Sequence, residues 1–155
     1  MKTFGTVALL ILSMLAAGVT SASDGLITMP STHSAAVTLD RLEAALKKRG
    51  LIVFARLDHA AAAKLVGLEM PASTVLVFGN PRNGTPAMLK KPTLAIDLPL
   101  KALVWEDAAG AVSLTYNSAE YLQGTIFPRH GLPTNPKRQK EIEKLLAAVS
   151  DEATQ

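Results

Sequence analysis

The segment VLVFGNPRNGTPAMLKKPTLAIDLPLKALVWED, running from Val75 to Asp107, decides the fold. Thr74 to Phe78 is a run of β-branched and large apolar residues, which predicts a strand. The absence of alternation predicts burial on both faces or packing between layers. Asn80–Pro81 and Thr85–Pro86 each set a capping side chain before a proline, the residue best tolerated at a first helical position. One or two short helical turns are therefore predicted over Pro81 to Lys91, with Pro92 and Pro99 bracketing an irregular connection. Ala102 to Asp107 returns to strand composition and pairs with Ala111 to Tyr116 in a hairpin whose turn holds Gly110.

Upstream, Leu26 to Met29 predicts a short strand stopped by Pro30, which lacks the N–H that a ladder needs. Thr38 stands where an N-cap belongs, and Leu39, Leu42 and Leu46 recur at helical spacing with Ala45 on the same face. Lys47, Lys48 and Arg49 suit the negative end of the helix dipole, and Gly50 offers a left-handed stop. Leu51 to Leu57 reads as a strand. Asp58 caps a second helix through Val66, with Gly67 ending it; the alanines Ala60 to Ala63 predict close approach to a sheet.

Downstream, Asn117 to Gly124 predicts a turn or short helix and Gly131 to Pro133 a loop. A last helix starts at Asn135–Pro136, with Ile142, Leu145, Leu146 and Val149 forming one apolar stripe. The order of elements predicts an α+β fold, helices over a largely antiparallel sheet.

Residues Met1 to Ala22 carry a secretory leader's layout: Lys2, an apolar run from Val7 to Ala17, then small residues. That run, roughly 11 residues, is shorter than the ~20 of a bilayer span. Thr20 and Ala22 suit a signal peptidase, so cleavage after Ala22 and a periplasmic or secreted product are expected, with no membrane insertion once the leader is gone. The remainder, Ser23 to Gln155, has the size of a single domain. The chain has no cysteine, which excludes disulfides, thiolate nucleophiles and cysteine metal ligands. A formal net charge of +3 comes from dispersed Lys and Arg, and only 5% of residues are aromatic, so no nucleic-acid partner is expected.

STHS (Ser31 to Ser34), DHAAAA (Asp58 to Ala63), FGNPRNGTP (Phe78 to Pro86), DLPLKALVWED (Asp97 to Asp107) and YNSAEYL (Tyr116 to Leu122) together resemble the domain of unknown function 302 family. RHGL (Arg129 to Leu132) is similar to that family's closing motif, but Gln123 to Pro128 intervene here between it and the YL pair. The resemblance implies a single copy of the TATA-box-binding-protein-like fold, an antiparallel sheet with helices packed on one side, and a homodimer. It implies no reaction.

The three histidines, His33, His59 and His130, all lie in those motifs. Two readings stand: a site assembled from imidazoles, or separate histidines that bond loops and caps. No H-x-H, H-x-x-H or H-E-x-x-H pair signals a metal. His59, at the first position of a helix, is the best single candidate. Asn80, Arg82 and Thr85 belong to a loop that lacks the lysine of a phosphate-binding P-loop, yet free N–H groups there with Arg82 and Thr85 suit a small anion. The alternative is a capped turn. Glu106 and Asp107 point to opposite faces of a strand and make no acid–base dyad.

The expected function is an exported, dimeric module that binds a small ligand or a protein partner, without cofactor or catalysis. The alternative is a histidine-based enzyme or a haem or metal protein. Exported protein should have an intact mass beginning at Ser23. A product retaining residues 1–22 would defeat both the leader and the localisation.

Overall fold

The computed structural model describes residues 25–155 together with the backbone of Thr20–Ser21. The expected cleavage point at Ala22 and the rest of the leader lie outside the described residues. The elements are β1 (Thr20–Ser21), β2 (Leu26–Pro30), α1 (Ala35–Lys48), β3 (Ile52–Asp58), α2 (His59–Leu65), β4 (Ser73–Gly79) and α3 (Pro81–Lys90). A 3-10 turn (Pro92–Ile96), β5 (Leu100–Glu106), β6 (Val112–Asn117), α4 (Ala119–Tyr121), a π-helical turn (Leu122–Ile126), α5 (Phe127–Arg129) and α6 (Pro136–Thr154) follow.

The strands form one antiparallel sheet in the order β1-β2-β6-β5-β4-β3. Its core face is read directly from the register. Leu76 pairs with Ala102 and Ala102 with Tyr116, while Val104 pairs with Leu114 and Leu114 with Met29. These residues, with Phe78, are buried against Leu42, Leu46, Leu146 and Val149. The fold is thus α+β with α1 and α6 on one side of the sheet. On the other side Trp105 donates from Nε1 to Thr115 Oγ1 (2.9 Å), which also bonds Thr28 Oγ1 (2.9 Å).

Several local expectations are corrected. β4 alternates: Leu76 and Phe78 are fully buried, whereas Val75 and Val77 are half-buried on the open face. Among the described residues the helices cover the sheet on one side, so the unbroken apolar run does not mean burial on both. The N-cap of α1 is Ser34 and not Thr38; the Ser34 hydroxyl accepts from the Val37 N–H, and the helix starts at Ala35. Thr38 lies inside the helix and is fully buried, its hydroxyl donating to Ser34 O (2.9 Å) and bonding Ser31 Oγ (2.7 Å). A buried hydroxyl needs such partners, so Thr38 fastens the β2–α1 connection to the helix instead of starting it. α2 lies against β4 as its alanines predict, with Ala60 and Ala63 half-buried, although no residue of that helix is fully buried. Gly50 (φ +72°) and Gly67 (φ +74°) take the left-handed conformation expected after α1 and α2.

Ion pairs tie the periphery to this frame. Arg56 on β3 reaches Asp40 (2.8 Å) and Glu43 (2.6 Å) on α1, and Arg49 after α1 reaches Glu152 on α6 (2.8 Å). Hydrogen bonds from Lys47 and Arg56 hold the Glu43 carboxyl below its ordinary value. Burial pushes the Tyr116 phenol up, opposed by its hydrogen bond with Ser150 of α6. Leu146→Ala should cost about 2–5 kcal/mol, because the cavity it leaves lies between α6 and the sheet. Thermal or denaturant melting measures it, and a loss well under ~1 kcal/mol would mean that α6 does not hold the core.

Candidate functional site

The three histidines are placed on separate elements, and the described residues hold no group of three or more His, Asp or Glu suited to a metal ion. His59 is exposed at the start of α2, where Asp58 provides the cap by accepting from the Ala61 N–H (2.9 Å). His33, between β2 and α1, keeps a buried Nε2 without a hydrogen-bond partner among the described residues. His130 is the engaged one. Its side chain is 5% exposed, with Nε2 2.5 Å from Asp97 Oδ2 and Nδ1 2.9 Å from Thr93 Oγ1. Both ring nitrogens are thus occupied by protein, which makes His130 a latch between the 3-10 turn and the α5–α6 loop.

The expected anion loop is also largely self-satisfied. Asn80 Oδ1 accepts from the Arg82 N–H (3.0 Å), and Asn80 O accepts from the N–H groups of Asn83 and Gly84. Pro81 has no N–H to offer. The start of α3 therefore has few donors left for a ligand, and Thr85 is exposed on the helix.

A cavity of about 380 Å³ lies where α3, the π-helical turn and the start of α6 meet. Pro86, Ala87, Phe127, Leu132 and Pro133 supply its apolar wall. Arg82, Lys90 and Arg138 supply three cations, and Asn83, Gln123, Thr134 and Asn135 the remaining polar groups. Of the residues expected from sequence to bind a ligand, Arg82 alone lines it. Phe127 joins the apolar wall to a second, smaller core formed with Leu94, Leu122 and Ile126.

Gln123 is fully buried at this cavity. Its Oε1 accepts from the Asn135 N–H (3.0 Å), while Nε2 has no partner among the described residues. Reversing the amide would set two donors against each other, so this orientation follows from the bond to Asn135. Gln123 sits in the π-helical turn, within the segment Gln123 to Pro128 that separates the YL pair from RHGL. π-Helical turns are rare and occur frequently at functional sites. The sequence marks this insertion, but nothing along the chain signals that it buries an amide.

The family model described as Domain of unknown function DUF302 matches residues 27–153. The chain belongs to that family. A crystal structure of an uncharacterized conserved protein DUF302 from Bacillus stearothermophilus shares the fold, with a TM-score of 0.70 at 22% identity over 84% of this chain and 99% of that one. Among curated proteins, the chain is 48% identical over 98 residues to a fluoride-specific ion channel, FluC 1, of Brucella suis, and equally to a FluC 1 of Brucella abortus. The match takes in 63% of this chain but only 39% and 36% of those relatives.

His130→Ala should cost about 1–3 kcal/mol, since it strips Asp97 and Thr93 of a bonded partner. His59→Ala should cost roughly 1 kcal/mol or less, and Asp58→Ala about 0.5–2 kcal/mol through loss of the cap. Parallel denaturant melts compare the three; a larger loss for His59→Ala than for His130→Ala would contradict these assignments.

Proposed function

We propose that this DUF302 domain is an exported, dimeric binding module whose ligand site is the cavity between α3, the π-helical turn and α6. The observation that carries the reading is the chemistry of the lining. It holds donors and an apolar wall but no His, Asp, Glu, Ser or Cys, so it offers no acid–base pair and neither Lys90 nor Thr134 has a basic side chain of those types beside it in the lining to activate it. Its volume falls at the small end of ligand pockets, roughly 300–1,000 Å³. Binding without chemistry suits such a lining.

Dimerisation is supported by β3, an edge strand on which Ile52, Phe54 and Leu57 are each about half exposed. Unpaired backbone groups beside apolar side chains favour pairing with another chain. The channel relatives add a second context. No helix among the described residues is long and apolar enough to cross a membrane. The match also leaves more than three fifths of each relative uncovered. The shared segment is accordingly read as a module carried outside the conducting part.

Purified exported protein, incubated with a metabolite extract and washed, should retain small molecules detectable by native mass spectrometry. Ala87→Trp, which obstructs the cavity from its apolar wall, should retain far less, and light scattering on both samples should give twice the chain mass. Equal retention by the variant would mean that the ligand sits elsewhere, and a monomeric mass would remove the dimer.

A further inference from the structure

We infer that the cavity binds a small organic anion: a carboxylate or phosphate monoester carrying a short apolar body. This rests on the reading of the cavity as the ligand site. Its first support is the distribution of arginine partners. Of the six arginines, Arg49, Arg56 and Arg129 contact carboxylates and Arg41 donates to Glu152 O (2.8 Å). The two with no such partner among the described residues, Arg82 and Arg138, both line this cavity, together with Lys90 and without any acidic residue.

Arg82 and Arg138 also stand in the first turns of α3 and α6, where positive charge opposes the helix dipole. Neither helix has an acidic residue in its first turn. That arrangement is locally unfavourable, and a bound anion would relieve it at both ends. The guanidinium fork suits carboxylate and phosphate alike.

The buried Gln123 amide is the second, independent support. An unpartnered buried donor is costly, and a small shift of the Gln123 side chain toward the cavity it lines would let a ligand acceptor satisfy Nε2. The apolar wall of Pro86, Ala87, Phe127, Leu132 and Pro133 gives the organic body its place. A bare inorganic ion would leave that wall wet.

Calorimetric titration of the purified exported protein with hexanoate, butyl phosphate, hexanamide, inorganic phosphate and fluoride tests the inference. Saturable binding of hexanoate or butyl phosphate, much tighter than that of hexanamide and weakened by salt, is the expected result; whichever binds identifies the head group. Arg82→Gln and Arg138→Gln should each weaken it about tenfold, as loss of one charge-assisted contact does. Gln123→Leu should weaken it too. Because that variant could misfold, Gln123→Glu is the companion: it keeps an acceptor for Asn135 but turns the free donor into a repelling oxygen.

If hexanamide binds as well as hexanoate and Ala87→Trp abolishes both, the cavity remains a ligand site and the anion inference falls. Inorganic phosphate or fluoride binding as tightly as the organic probes would remove the role of the apolar wall. Unchanged affinity in folded Gln123→Glu would mean that water satisfies the amide, and would overturn its part. No binding by any probe would overturn the inference, while metabolite retention lost in Ala87→Trp would still uphold the cavity reading.

Discussion

Burial of one face of the antiparallel sheet beneath α1 and α6 governs the rest of the molecule. Side chains alternate across a strand, so the register that puts Leu76, Ala102, Val104, Leu114 and Tyr116 inward also sends Val75, Val77, Leu103 and Thr115 outward. A slip by one residue would exchange those sets. The Leu42, Leu46, Leu146 and Val149 side chains close the core from the helical side. Since net stability is a small difference between large terms, this single contiguous core has to supply most of it in a chain without disulfides.

The second core has a different role. Leu94, Leu122, Ile126 and Phe127 are too few to fold alone, but they hold the 3-10 turn, the π-helical turn and α5 together. His130, clamped by Asp97 and Thr93, secures the loop that continues to Leu132, Pro133, Thr134 and Asn135. One wall of the cavity is therefore set by packing and by a buried histidine, and the opposite wall by α3. Preorganisation of this kind lowers the cost of ordering a site when ligand arrives.

The relatives frame this arrangement without defining it. The Bacillus structure shares architecture at an identity that speaks only to fold, and the Brucella channels share a segment much shorter than themselves. Function is carried by sites grafted onto folds, so the cavity's own chemistry is the better guide. It combines cations that have no acidic partner among the described residues, a buried donor and an apolar wall.

Local signals along the chain determine most elements. Asp58, Asn80 and Asn135 cap the helices where capping side chains precede a helix or a proline, and Gly110 (φ +85°) turns the hairpin. Helical spacing marks Leu42, Leu46, Leu146 and Val149 as core. These are properties of neighbouring residues, legible without the fold. The covered face of β4 is not, because Val75 to Phe78 is apolar at every position and only the placement of the helices distinguishes its sides. Thr38 resembles a cap because a buried threonine and a capping one have the same sequence signature. The site shows the same division. Arg82 is visible as a cation beside a helix start, but its grouping with Lys90, Gln123 and Arg138 joins segments far apart in sequence. Only tertiary packing brings those together, and only packing decides that His130 is occupied by Asp97 and Thr93 while the Gln123 amide keeps a donor with no partner among the described residues.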